Sequence, residues 1–378
     1  MIGLSLALRC ALVSFQDTGA GADPGLVSAD EARGALDRAL AWLVSDQAGD
    51  GSWATGVLEG VMEYGFSVES FYDWKVASCA LACQALLRAE ETPARRAALE
   101  RGLGWLTRAR ELKRPSDWDS DFVWGALYGT VLCVEAAEDP RFAGKPLSAA
   151  IEAAGRRFLD LLVANQTPLG GWAYYDDPPF SRRPKWDTSF CTALVLPTLK
   201  EAERLSWLAD PAVLARAKRY VSRCALPNGA YSYSLDPIPG FDGGEHIDDV
   251  KGSLARIQVC NWALAAVGEK KITPDRLREG LENLFRHHRF LDAARLRPIP
   301  HEAYYYNSGY FYLFGHYYAA EAIELLPAAE RDALHARLRA HLSRTQRDDG
   351  SAVDFLVSSY EEVACTAFLA LALRRGLP

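Results

Sequence analysis

No apolar run after residue 20 approaches the roughly 18 residues that cross a bilayer, so past its first residues the chain offers no transmembrane segment. Positive charge is also in short supply. Lys and Arg total 42 against 49 Asp and Glu, a net charge of −7. Without a basic stripe, neither nucleic acid nor an anionic membrane surface is an expected partner. The sequence has no CxxC pair and no comb of Cys and His at ligand spacing, which excludes a zinc ribbon or finger. It also lacks a Gly-rich phosphate loop, a Gly-x-Ser-x-Gly elbow and an Asp-Asp-x-x-Asp run. Nucleotide-loop, serine-hydrolase and metal-diphosphate chemistries therefore lose their usual parts. No metal and no cofactor is expected.

What is present is a globular composition, 49% hydrophobic and 24% charged, which a packed core explains and a disordered chain does not. Of the eight cysteines, Cys79, Cys83, Cys133, Cys191, Cys260 and Cys365 lie in Ala- and Leu-rich stretches. There a thiol packs as a small hydrophobe, so reduced core cysteines are expected. Residues 2 to 15 are apolar apart from Arg9, and Ala20-Gly21-Ala22 forms an A-x-A site before Asp23. This reads as the tail of an export leader, which would place the protein in the periplasm or outside the cell. An uncleaved tail, compatible with the cytoplasm, is the alternative. Residues 1–25 are set apart, and 26–378 are read as one domain.

A repeat organises that domain. Trp42, Trp105, Leu161, Tyr220, Phe285 and His341 recur at intervals of roughly 60 residues. Five residues after three of them stands a Gln that opens QAGDGSW (Gln47 to Trp53), QTPLGGW (Gln166 to Trp172) or QRDDGSA (Gln346 to Ala352). ALPNGAY, Ala225 to Tyr231, is a degenerate fourth copy. Each repeat holds two helices. The first is amphipathic and opens on a capping box (Ser28 to Glu31) or on a proline: Pro93, Pro146, Pro211, Pro274 or Pro327. The second, as in ASCALACQALL or VACTAFLALAL, has almost no polar face and must be buried on most sides. Outer amphipathic helices paired with inner apolar ones predict an all-α fold. It is an α/α toroid of six outer and six inner helices, with Cys79, Cys191, Cys260, Cys365 and His316 on inner helices.

The Gln-x-x-x-Gly-x-Trp element beside such helix pairs resembles the squalene and oxidosqualene cyclase group and its protein-prenyltransferase relatives. The resemblance covers about residues 26 to 378. It implies that Gln47, Trp53, Gln166 and Trp172 are staples between repeats, the Gln capping helix ends and the Trp stacking on its neighbour. It also implies a terpenoid-cyclase-like activity, an isomerase or mutase reaction on an isoprenoid. That chemistry needs a carboxylic acid kept protonated in an apolar pocket, which the family supplies with Asp-x-Asp-Asp-Thr-Ala at the mouth of an inner helix. Here the motif is broken. Asp119-Ser120-Asp121-Phe122 lacks the third Asp, and Trp186-Asp187-Thr188-Ser189 has Trp in place of the middle acid.

The long outer-to-inner connections should share one face, where loops rich in aromatics and acids converge. A pocket is expected there, lined by Trp118, Trp124, Trp186, Tyr312, His316 and Tyr317. Asp119, Asp121 and Asp187 stand as candidate catalytic acids near its rim. Capping is the plainer role for some of Asp73, Asp187, Asp248 and Asp249. Three functions stay open: a terpene-cyclase-like enzyme with an apolar ligand, a non-catalytic binding or scaffold toroid, and a glycan-active α/α toroid enzyme.

Overall fold

The computed structural model describes residues 25–60, 63–176, 184–236, 244–355 and 358–377. The apolar stretch 2 to 15 and the A-x-A site lie outside the described residues. Among the described residues the helices run α1 (Ala29–Ser45), α2 (Val68–Arg88), α3 (Pro93–Thr107), α4 (Phe122–Glu138), α5 (Pro146–Asn165) and α6 (Ser189–Arg204). They continue as α7 (Ala212–Arg223), α8 (Leu254–Ala266), α9 (Pro274–Arg286), α10 (Arg289–Ala294), α11 (Phe311–Ile323), α12 (Ala328–Ser343) and α13 (Ser359–Arg374). Among the described residues β-pairing is limited to isolated bridges.

The inner helices α2, α4, α6, α8, α11 and α13 each pack against the next, and α13 packs against α2, so the ring closes. Closure explains the lack of polar end caps, which an open solenoid needs. The outer layer is α1, α3, α5, α7, α9 and α12, as the prolines and the Ser28 box forecast. The box itself is formed: Ser28 N–H donates to Glu31 Oε2 at 2.9 Å and Glu31 N–H to Ser28 Oγ at 3.2 Å. The short α10, between α9 and α11, is an addition the repeat pattern did not forecast. Every residue of α11 is buried. Small side chains let such helices approach: a Cβ at Gly315 would lie 2.8 Å from that of Ala255 on α8.

The glutamines join one repeat to the next. Gln47 Nε2 donates to Gly51 O and to Ala98 O of α3, both at 2.9 Å. Gln166 Nε2 donates to Gly170 O (2.8 Å) and to Val213 O of α7 (2.9 Å). Gln346 Nε2 donates to Gly350 O (3.1 Å) and to Ala35 O of α1 (2.8 Å), tying the last repeat to the first. In each copy an arginine of the contacted helix, Arg101, Arg216 or Arg38, donates to the Gln carbonyl oxygen. The turn glycines sit at φ +94, +111 and +96, with a would-be Cβ within 2.7 Å of that arginine's carbonyl oxygen. Trp53 and Trp172 are buried and donate from Nε1 to Leu43 O and Leu162 O. Both described ends of the chain rest on α12: Val27 N–H donates to Ala336 O (3.4 Å), and Arg339 Nη2 to Gly376 O (2.5 Å).

Candidate functional site

Connections from outer to inner helices are long and those returning are short, so the long loops gather on the face where the inner helices begin. A cavity of about 280 Å³ opens there. Five of the six inner helices put rings into its wall, among them Trp74, Trp124, Phe190, Phe311, Phe314 and Phe368. The rings pack edge to face, as their quadrupoles favour: Phe190 and Phe311 centroids are 5.2 Å apart at 78°, Phe314 and Phe368 6.0 Å at 86°.

Asp121 enters this wall at the start of α4. Its own N–H donates to Asp119 Oδ1 at 2.8 Å, and Ser70 Oγ donates to Asp119 Oδ2 at 2.6 Å. Burial holds the Asp121 carboxyl well above the usual range, and the neighbouring Asp119 adds to this. The two carboxyls are hydrogen-bonded to each other; burial raises Asp119 as well, but the Ser70 hydroxyl and the Asp121 N–H that donate to it leave it raised less than Asp121. Asp73, one helix earlier, completes a set of three. It is fully buried, neither carboxyl oxygen has a hydrogen-bond partner among the described residues, and burial pushes it up to about 8.

A second carboxyl group of residues faces the same cavity. Asp354 Oδ2 accepts from Leu313 N–H at 2.7 Å and Oδ1 from Cys365 Sγ at 3.2 Å. Glu361 is hydrogen-bonded to Asp354 and is raised by burial and by that like charge. The Asp354, Glu361 and Cys365 ligand atoms lie within 4.8 Å of one another, a donor set that could hold a divalent cation. Glu63, also lining the cavity, accepts from Glu59 and Gly60 N–H through Oε2, with Tyr360 beside it.

Of the residues singled out in the sequence, Trp124 and Asp121 line this cavity, with Asp119 directly behind Asp121. Trp118 is exposed against Phe66, 5.5 Å between centroids. Trp186 stacks on Tyr175 at 4.1 Å. Asp187 holds the turn of the second repeat element, accepting from Gly171 N–H at 2.8 Å and from Thr167 Oγ1, and burial pushes it up to about 6. Tyr312 and His316 turn toward α10 and α12: they stack at 4.5 Å, His316 Nε2 lies 2.9 Å from His288 Nε2, and His288 stacks on His341. Tyr317 accepts from Arg88 at the other end of the ring, in a second cavity of about 240 Å³ lined also by Glu135, Glu321 and Arg375. Asp73, Asp354, Glu361 and Glu63 were not read as site residues. Asp73 comes from the repeat before Asp119, and Glu361 reads as a first-turn helix acid, so neither has a linear signature.

No protein-family model matches the chain, and no curated protein matches it. Solved structures do. Unsaturated glucuronyl hydrolase from Streptococcus agalactiae matches with a TM-score of 0.60 at 12% identity, over 93% of each chain. The GH76A α-1,6-mannanase from Salegentibacter sp. HEL1_6 matches with 0.57 at 12% identity, over 91% of this chain and 99% of that one. A variant of the type II terpene cyclase MstE from Scytonema matches with 0.52 at 14% identity, over 93% and 98%. The likeness is one of fold: this chain is an α/α toroid, an architecture that hosts both glycan and terpene chemistry.

Proposed function

We propose that the cavity holds a short isoprenoid or similarly apolar ligand and that the protein is a terpene-cyclase-like isomerase with Asp121 as proton donor. The observation that carries this reading is a buried carboxyl, Asp121, set into a wall of aromatic rings, where burial favours its neutral form. Asp121 would give its proton to a carbon–carbon double bond. A second double bond of the same chain would close the ring on the resulting cation. Loss of a neighbouring C–H proton, back to the Asp121 carboxylate, would leave a neutral isomer. Asp119, accepting the hydrogen bond from Asp121, orients that proton, and Asp73 keeps the cluster short of countercharge. The ring faces of Trp124, Phe190 and Phe314 would face the positive charge that develops on carbon. At about 280 Å³ the cavity sits at the small end of ligand sites, which run from roughly 300 Å³ upward. It suits a short chain better than a triterpene. The wall is mostly ring faces with a few acids among them, which suits an apolar body better than a glycan with hydroxyls on every side, and the toroid's sugar-active neighbours support the fold alone.

The test is incubation of the purified chain with farnesol and geranylgeraniol, followed by mass spectrometry of an organic extract. A cyclised isomer is expected, and Asp121→Asn should remove it while leaving the melting temperature nearly unchanged. Because the donor must hold its proton, the rate should fall as pH rises through the raised pKa of Asp121. A folded Asp121→Asn that still makes product would exclude Asp121 as donor.

A further inference from the structure

One strip of chain carries the helix that the repeat does not forecast. Residues 289–306 hold α10 and the turns after it. Pro298 and Pro300 are exposed and also line the cavity, so the strip forms part of its mouth. Its backbone is strained. Leu296, His301, Tyr305 and Tyr306 have φ between +55 and +64, four of the six such non-glycine residues among those described. The far end is pinned: Tyr305 N–H donates to Glu245 Oε2 (2.9 Å) and Lys251 Nζ to the Tyr305 hydroxyl (3.0 Å). The near end, where Leu296 N–H donates to Asp354 O (2.7 Å), follows directly from α10.

What fastens α10 to α11 is a line of hydrogen bonds whose proton count the geometry sets. His316 Nδ1 lies 2.6 Å from Tyr312 O, an oxygen that can only accept, so Nδ1 carries a hydrogen. Burial holds the His316 pKa well below the usual range, which leaves Nε2 as an acceptor. His288 Nε2, 2.9 Å away, must therefore donate. Its Nδ1 faces Asp292 Oδ2 at 2.9 Å. Burial pulls Asp292 up, but the hydrogen bond and charge of His288 outweigh it and keep the carboxyl below its usual range, an acceptor too. Serving both partners takes both ring protons, so His288 is an imidazolium. Its ring is buried, whereas the Asp292 side chain is half exposed and open to water.

We propose that the Asp292–His288–His316 line is a proton-held latch that keeps the strip closed over the cavity mouth. Loss of one His288 proton sets acceptor against acceptor at one of the two contacts, α10 loosens, and the mouth opens. Nothing nearby replaces that bond. Asp292 is the acid facing His288; α11 presents His316 and Tyr312, and α12 presents His341, kept neutral by burial. The other charges are positive: Arg286 and Arg289 beside it in the chain, Arg295 over the Tyr312 ring, Arg337 and Arg344 around His341. None of them can accept a hydrogen bond. The latch therefore opens as pH rises. That the opening admits a ligand rests on the reading above, and closure suits that reading, since a cation formed inside needs water kept out.

Hydrogen exchange on the full chain, each rate divided by its intrinsic value at that pH, reads the opening. Between about pH 5 and about pH 8, protection of amides 289–297 should fall about tenfold or more, the scale of a lost hydrogen bond to a charged group. Asp292→Asn supplies the contrast. Its amide N–H can donate to Nδ1 of a neutral His288 while Nε2–H still donates to His316, so no extra proton is needed. In that variant the strip should stay protected across the range, with α4 exchanging as in the parent. An equal fall in both chains, or no fall in the parent, overturns the latch and leaves the isomerase reading standing. A latch that behaves as expected in a chain that makes no product overturns that reading alone.

Discussion

Asp73 shows how a single side chain sets the pH range of the whole protein. An acid whose folded pKa lies above its unfolded value keeps a proton that the unfolded chain has lost, so stability falls as pH rises between the two values. For Asp73 that window runs from about 4 to about 8. Buried neutral histidines act from the other side. His341 is pushed down to about 3 by burial and by His288, so its contribution is lost as pH falls below about 6.5. Above that point the acids still move, and near the top of the range the buried thiols, raised by burial, add a fall of the same sign. The melting temperature should therefore decline between about pH 6.5 and about pH 8.5, and Asp73→Asn should flatten part of the decline. A flat profile in the unaltered protein would show Asp73 ionised in the fold. The same residue marks a limit of sequence reading. Asp119 and Asp121 could be found two apart in a line, whereas the third acid reaches them across a helix boundary.

At the scale of the element, the repeat turn is the most demanding unit. Gly170 has φ +111, and a Cβ there would sit 2.7 Å from Arg216 O, a backbone atom. Gly229, in the degenerate copy, has φ +95 but meets only side-chain ends at 3.1 Å. Gly170→Ala should cost about 2–4 kcal/mol and Gly229→Ala distinctly less, read from urea midpoints. Equal costs would mean that strain at φ, not the approach of the neighbouring helix, governs these turns. Such turns were legible because glycine, glutamine and tryptophan each serve a fixed local need. The inner helices were legible as buried but not as oriented. Along α11, Phe311 and Phe314 face the cavity whereas Tyr312 and His316 face α10 and α12. A helix with every residue buried carries no polar stripe from which to tell the axis side from the outer side. A spacing of four puts Tyr312 and His316 on one face of the helix, but nothing in it sets the direction of that face.

For the whole molecule, the cavity exists because six helices of similar girth enclose an axis they cannot fill, and the two ends of that axis differ in chemistry. One end is walled by rings and uncompensated acids. The other is closed by Arg88, which pairs with Glu135 and Glu321, and by Arg375 on Glu321. Tyr128 lines both cavities, so a ligand entering among the long loops meets a floor. The joint between Gln346 and α1 gives the molecule a further property: covalent order around it is arbitrary. Residues 27 and 376 rest on the same helix, and the joint there matches the other two glutamine joints. A circular permutant that links these ends and breaks the chain between the exposed Lys270 and Lys271 should keep its helix content and melt cooperatively. In the parent, Gln346→Ala leaves Gly350 O and Ala35 O short of a donor and should cost about 1–3 kcal/mol. In the permutant the peptide link spans that joint, and the same substitution should cost less.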